Sequence, residues 1–252
     1  MSHIALVVPC YDEESRLDVA ALRGACLPGH DLELLLVDDG SRDATRAVLE
    51  SIAKDRPRTS VLSLERNAGK AEAVRRGVVD ALGRNPGAVG FWDADLATPL
   101  AELADFVTAL ESDPEVDIVI GSRVKLMGRA IERRRWRHYS GRIFATAAAI
   151  ALDLPVYDTQ CGSKLFRVTP LLPRVFEQPF LARWVFDVEI LARFLAYDAR
   201  GPGHVARSLV ELPLHRWVDV AGSKVRAIDF ARSAADLARI RLAYPRQPPS
   251  RA

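Results

Sequence analysis

The stretch LELLLVDDGS, residues 32–41, sets an almost unbroken aliphatic run directly against two aspartates and a glycine. A run with so little polar alternation suits a strand covered on both faces, the mark of a largely parallel sheet. Four more runs share the pattern: IALVVP from Ile4, SVLSL from Ser60, AVGFW from Ala88 and VDIVIG from Val116. Helical patterns such as Asp43 to Lys54 and Gly69 to Leu82 lie between them. This alternation predicts an α/β fold, a doubly wound and mostly parallel sheet with helices on both faces.

In open sheets of this kind ligands sit beyond the carboxyl ends of the strands. Each run here ends in polar residues: PCYDEE, DDGS, ERNAGKAEA, DAD and GSR, in chain order. Asp43 and Thr98 suit helix N-caps, but five polar ends aimed at one edge make a site. Asp93 and Asp95 flank Ala94 directly after a buried strand. Two carboxylates about 5 Å apart at an effective dielectric near 20 repel by roughly 3 kcal/mol. A hard divalent cation offsets that repulsion and completes its shell with phosphate oxygens and water. Asp38 and Asp39 can accept a hydrogen bond from a base or ribose, and Gly40 lets the backbone turn.

A chain of 252 residues suits one large α/β domain or two small ones. The formal charge of +2 excludes a protein built mainly to coat nucleic acid. Cys10, Cys26 and Cys161 have neither framework nor metal-ligand spacing, which points to a reducing compartment without structural zinc. The five histidines are scattered without ligand spacing. The N-terminus MSHIALVVPC reads as a first strand rather than a secretion signal. The apolar run IFATAAAIALDL from Ile143 is interrupted by Asp153 and falls short of the ~20 residues that span a bilayer.

The motifs VVPCYDEE, VDDGS, NAGKAEAVRRG, DADL and GSR, in that order, resemble the inverting glycosyltransferase family 2, which uses nucleotide-sugar donors. The resemblance runs from about Ile4 to Tyr244 and implies the GT-A fold of nucleotide-diphospho-sugar transferases. In the second half, DTQCGSKLF, RWVFDVEIL from Arg183 and AGSKV from Ala221 look most like the dolichyl- and polyprenyl-phosphate β-glucosyltransferases. The expected organisation is one domain over residues 1–244, with a nucleotide-binding half (1–123), an acceptor- and membrane-facing half (124–244) and a flexible tail at 245–252.

The resemblance implies Pro9, Tyr11, Glu13, Val37, Asp38 and Asp39 around the nucleotide, with Lys70 in the donor site. It puts Asp93, Ala94 and Asp95 at metal and diphosphate, Arg123 beside the donor and Lys224 on phosphate. Residues 158 to 164 become a polar loop over the donor, with Gln160 near a Mg²⁺ or Mn²⁺ ion and Lys164 near phosphate. Asp187 and Glu189 can orient sugar hydroxyls or simply favour a helix N-terminus. The family usually has Asn where Asp12 stands.

Transfer to a lipid monophosphate, whose second pKa is about 6, needs no strong general base. A hydroxyl acceptor would need one, and Asp158 and Asp187 are the candidates. The segment GRAIERRRWRHYSGR carries Arg133, Arg134 and Arg137, suited to an acceptor phosphate and to an anionic membrane surface. The leading expectation is metal-dependent transfer of a hexose, glucose from UDP-glucose, to polyprenyl phosphate by a cytoplasmic enzyme peripheral to the inner membrane face. Transfer from GDP-mannose, a soluble acceptor, or a silent nucleotide-sugar sensor or scaffold are the alternatives.

Overall fold

A computed structural model of the chain describes residues 2–132, 135–218 and 227–245, with residues 135–140 and 227–231 as backbone. In chain order the first elements are β1 (His3–Cys10), α1 (Val19–Arg23), β2 (Asp31–Asp38), α2 (Thr45–Asp55), β3 (Thr59–Ser63), α3 (Lys70–Leu82) and β4 (Ala88–Trp92). A 3-10 turn (Leu100–Glu102) then runs into α4 (Leu103–Ser112), followed by β5 (Ile118–Ser122), β6 (Ala130–Glu132) and α5 (Arg135–Leu152). The chain continues through β7 (Ser163–Arg167), α6 (Leu171–Glu177), α7 (Phe186–Tyr197), α8 (Pro202–Ser208), β8 (Leu209–Pro213), β9 (Arg216–Val218) and α9 (Ala227–Ala243).

Seven strands form one sheet in the order β3-β2-β1-β4-β7-β5-β8, and β6 pairs with β9 in a small parallel ribbon. The five aliphatic runs are β1 to β5, as the absence of polar alternation predicts. Along β1 the side chains of Ala5 and Val7 join the core under α3, α5, α6 and α7, while Ile4, Leu6 and Val8 join the core under α1, α2 and α4. Both faces are therefore covered, and the sheet is doubly wound. Gly77 brings α3 directly onto the sheet, since a Cβ there would overlap Val7 and crowd Val37.

β7 departs from the expected pattern. It runs antiparallel to both β4 and β5, with Phe91 opposite Lys164 and Ile120 opposite the same residue. Lys164 therefore lies in a central strand and not in a loop, and only residues 158–162 of the expected polar loop are irregular. Both halves of the chain build this sheet, because β7 and β8 follow residue 123 in sequence. Phe166 on β7 stacks on Phe194 at 5.9 Å and meets Phe176 edge-on at 5.8 Å, fastening the sheet to α6 and α7.

Glu189, considered above for sugar hydroxyls, is a structural group. It is fully buried and accepts from Arg193 at 2.8 Å, from the Tyr244 hydroxyl at 3.0 Å and from the Ala182 N–H at 3.0 Å. Arg193 also donates to the carbonyls of Val175, Gln178 and Pro179, so one buried ion pair ties α6, α7 and the end of α9 together. Removing one partner of such a pair strands the other charge. Glu189→Ala should lower unfolding stability by about 3–5 kcal/mol, measured by urea denaturation; a wild-type midpoint would contradict the pairing.

Candidate functional site

The strand order reverses beside β1, which has β2 on one side and β4 on the other, so the crevice opens beyond the carboxyl ends of β1 and β4. Pro9 pairs with Val37 and Cys10 with Asp38 at this edge, which brings the loops after β1 and β2 side by side. Hydrogen bonds knit them: the Asp12 N–H donates to Ser41 Oγ, the Glu13 N–H to Thr45 Oγ1, and Arg42 clasps the Asp12 carboxylate at 2.7 Å. Asp12 has φ +50°, a left-handed conformation that Asn and Asp tolerate best, which accounts for either residue serving there. Asp43, two residues ahead of the helix start, accepts from the Thr45 N–H while Ala44 holds the N-cap position, and Thr98 uses its carbonyl to accept from the Trp92 indole.

Tyr11 and Glu13 stand partly exposed at this mouth. Asp38 is buried and accepts from the Ser41 N–H at 3.0 Å. Asp39 faces inward to the loop before α3, accepting from the N–H groups of Ala68 and Gly69 at 2.8 Å and from Asn67 Nδ2 at 2.9 Å. Its carboxylate thus positions the N-terminus of α3. Burial pushes the Asp39 carboxyl above its ordinary range, against the pull of those two N–H donors.

Asp93, Ala94 and Asp95 follow β4 in a tight turn closed by the Leu96 N–H on the Asp93 carbonyl, with Leu96 at φ +47°. The Asp93 N–H donates to the Gly162 carbonyl at 3.0 Å, and a Cβ on Gly162 would overlap the Asp93 carboxylate. Gly162 is consequently the floor on which that carboxylate rests. Asp95 accepts from the Ala97 N–H at 3.1 Å and lies 3.8 Å from the Arg16 guanidinium, which also pairs with Glu13. Burial, and then Asp93 beside it, pushes the Asp95 carboxyl up. Lys70, the first residue of α3, forms an ion pair with Asp93.

On the far side of the crevice Arg123 grips Asp158 with two parallel bonds of 2.7 and 2.8 Å. Burial opposes the Arg123 charge, but Asp158 outweighs it and holds the guanidinium ionised. Glu211 on β8 fixes the partner loop by accepting from the N–H groups of Tyr157 and Asp158 at 2.7 and 2.8 Å. Gln160 lines a cleft with Arg123, Arg142, Tyr157 and Asp158, and among the described residues no hydrogen bond joins it to Asp93 or Asp95.

Lys164 requires a correction. It is wholly buried and donates to Asp187 at 2.5 Å and to the Cys161 carbonyl at 2.6 Å, so it is held under the site instead of at a phosphate. Asp187 in turn balances two ammonium groups, since it also acts on Lys70. Arg133, Arg134 and Lys224, and the side chain of Arg137, lie outside the described residues.

Mg²⁺ or Mn²⁺ fits the residues present in one respect: Asp93 and Asp95 are hard oxygen donors, and the Lys70 ammonium already places a cation against Asp93 Oδ1. Among the described residues no three His, Cys, Asp or Glu side chains converge on one point. The protein supplies part of a shell, and ligand oxygens must supply the rest. Arg16, Gly162, Glu211 and Arg183 were not singled out in the sequence. Arg183 reaches over Gly69 to the Ala68 carbonyl at 3.2 Å, beside an exposed Trp184. Arg16 and Glu211 carry ordinary surface-type charges in sequence, whereas Gly162 within DTQCGSKLF and Arg183 at the head of RWVFDVEIL had motifs to mark them.

A doubly wound sheet with one antiparallel insertion and an acid pair beyond β4 is the GT-A architecture of glycosyltransferases. Residues 5–172 match the family described as Glycosyl transferase family 2, and the chain belongs to that family. It is 34% identical over 244 residues to a dolichyl-phosphate beta-glucosyltransferase of Drosophila melanogaster, covering 88% of this chain and 69% of that protein. The Saccharomyces cerevisiae enzyme of the same name is 30% identical over 263 residues, covering 96% and 75% of the two chains. In structure it is similar to glucosyl-3-phosphoglycerate synthase of Mycobacterium tuberculosis, with TM-score 0.68 and 17% identity over 99% of this chain and 82% of the other. That crystal structure holds Mn²⁺, UDP-glucose and glycerol 3-phosphate.

Two outcomes follow from this geometry. Gly162→Ala should displace the Asp93 carboxylate and lower glycosyl transfer by about 10²-fold, while the circular dichroism spectrum stays that of the wild type. For Asp39, the folded chain binds the proton more tightly than the unfolded chain. Ionisation therefore costs stability at neutral pH, and the cost vanishes as pH falls through the folded midpoint towards the ~3.9 of an unperturbed aspartate. The ¹³C carboxyl titration of Asp39 should accordingly show a midpoint above ~3.9.

Proposed function

We propose that this chain transfers glucose from UDP-glucose to the phosphate of a polyprenyl phosphate, with inversion, at the cytoplasmic face of a membrane. The observation that carries it is the extent of similarity to the dolichyl-phosphate beta-glucosyltransferases, 96% of this chain in the Dictyostelium discoideum and Saccharomyces cerevisiae comparisons. That span includes the second-half motifs DTQCGSKLF and RWVFDVEIL.

The charge pattern favours an acceptor that is already ionised. Both carboxylates considered as general bases are engaged, Asp158 by Arg123 and Asp187 by Lys164. A carboxylate so paired is a poor proton acceptor, and a hydroxyl nucleophile would need a better one. A phosphate monoester, with its second pKa near 6, attacks without giving up a proton. Its oxygen bonds to the anomeric carbon from the face opposite the diphosphate, whose bond to that carbon breaks with the electron pair.

The leaving diphosphate gathers negative charge as that bond breaks, and fixed cations aimed at it stabilise the transition state. Arg123, preset by Asp158, and Lys70, at the N-terminus of α3, are the groups available here. Asp93 and Asp95 would hold Mg²⁺ or Mn²⁺, which when bound supplies Lewis-acid stabilisation to the diphosphate oxygens.

Among the described residues no helix is long and apolar enough to cross a membrane. Helix α5 nevertheless leaves Ile143 and Ile150 three-quarters exposed, one helical face apart by seven residues, and Leu242 of the neighbouring α9 is exposed as well. Arg239 and Arg241 are exposed on α9 beside Leu242 in sequence. Exposed apolar side chains together with arginines suit the surface of an anionic bilayer. The unpatterned cysteines agree with a reducing compartment.

Purified protein, Mg²⁺, labelled UDP-glucose and a short polyprenyl phosphate in anionic vesicles should yield labelled lipid, and the protein should co-sediment with the vesicles. Asp95→Asn should lower kcat by about 10²–10³-fold. Labelled lipid from GDP-mannose alone would move the donor assignment, label on a soluble acceptor alone would move the acceptor, and no transfer with any of these would overturn the proposal.

A further inference from the structure

Lys70 occupies an unfavourable place for a cation. It opens α3 behind Gly69, which has φ +96°, and that helix end has no side-chain cap. The positive end of a helix dipole repels an ammonium and attracts anions. Partial burial disfavours the charge further, and what offsets it is the ion pair with Asp93, with Asp187 and Asp95 acting from nearby. Three carboxylates from two other elements are thus what keeps the charge there.

Asp93 has little freedom to turn away from this contact. Gly162 lies directly under its carboxylate, and its own N–H is tied to the Gly162 carbonyl. Asp187 has a partner in Lys164, fixed at 2.5 Å in the buried strand. The Lys70 ammonium also sits 5.9 Å from the centre of the Phe186 ring, which leaves it a π-face on the side of α7. The member of this row with solvent beside it is Lys70, about two-fifths exposed on a long aliphatic stem.

We propose that Lys70 is the internal counter-ion of the Asp93 and Asp95 pair, which keeps a bare divalent ion out until a nucleoside diphosphate arrives to draw the ammonium away. The ion and the donor then enter together, because the diphosphate supplies the negative charge that Lys70 had been taking from Asp93. The proposal rests on the reading that Asp93 and Asp95 hold the ion.

The test is Mn²⁺ binding to the full chain, followed by electron paramagnetic resonance, with UDP as the diphosphate probe. Without UDP, wild type and Lys70→Arg should bind Mn²⁺ weakly, and Lys70→Met and Lys70→Gln should bind it at least about tenfold more tightly, since a unit charge beside the site is gone. UDP should strengthen Mn²⁺ binding strongly in the wild type and much less in Lys70→Met. A purely structural lysine would not improve ion affinity when removed. Equal Mn²⁺ affinity in wild type and the neutral variants, with UDP still promoting Mn²⁺ in the wild type, overturns the counter-ion role and leaves the acid pair intact as the ion's site. Failure of the wild type to bind Mn²⁺ even with UDP overturns the underlying reading as well. Amine labelling of the wild type gives an arm free of any folding defect: the reactivity of Lys70 should be unchanged by Mn²⁺ alone and altered by Mn²⁺ with UDP. Alteration by Mn²⁺ alone overturns the proposal.

Discussion

Two carboxylates with one residue between them, at the carboxyl end of a strand with no side chain exposed, repel each other. The surrounding elements are arranged to meet that condition. Arg16 approaches Asp95 from the loop after β1, Lys70 approaches Asp93 from the start of α3, and Gly162 removes its own side chain so that the Asp93 carboxylate has a place to lie. Each contribution comes from a different strand end, which is why the acid pair needs the whole sheet edge. Such an acid pair is suited to a ligand that brings phosphate and a divalent ion at once.

A second ring of charge stands behind the first. Asp187 with Lys164 lies beneath the acid pair, and Arg123 with Asp158 faces it, the latter steadied by Glu211 through two backbone N–H groups. Pairing fixes where each charge points before any ligand binds, so little reorganisation is left for the moment of reaction. It also engages the Asp158 and Asp187 carboxylates, which links the electrostatics of the crevice to the kind of nucleophile it can use.

The first five strands and the acids at their ends were legible in the sequence because a strand buried on both faces cannot hide its composition. β7 was not. SKLFR holds three polar or charged residues in five, and it reads as a turn until Lys164 is seen against Asp187, a partner 23 residues away that no local pattern announces. Buried pairing likewise explains why Lys164 was assigned to phosphate and why Glu189, held by Arg193 one turn along α7 and by Tyr244, was considered for sugar. A charged residue in a motif looks available for ligand until its buried partner is known. Asp39 illustrates another case: expected beside the nucleotide, its carboxylate accepts from the loop ahead of α3.

The antiparallel strand in the middle of the sheet also bears on how the protein is made. When residues up to about Leu154 have left the ribosome, β4 and β5 exist but their shared neighbour does not, so each presents a bare edge able to pair with another chain. The sheet becomes continuous only when Ser163–Arg167 slides between them, and β5 receives its other neighbour later still, at Leu209–Pro213. Synthesis of this chain therefore passes through a stretch of vulnerability to aggregation that ends late, and shielding by a chaperone would matter most in that interval.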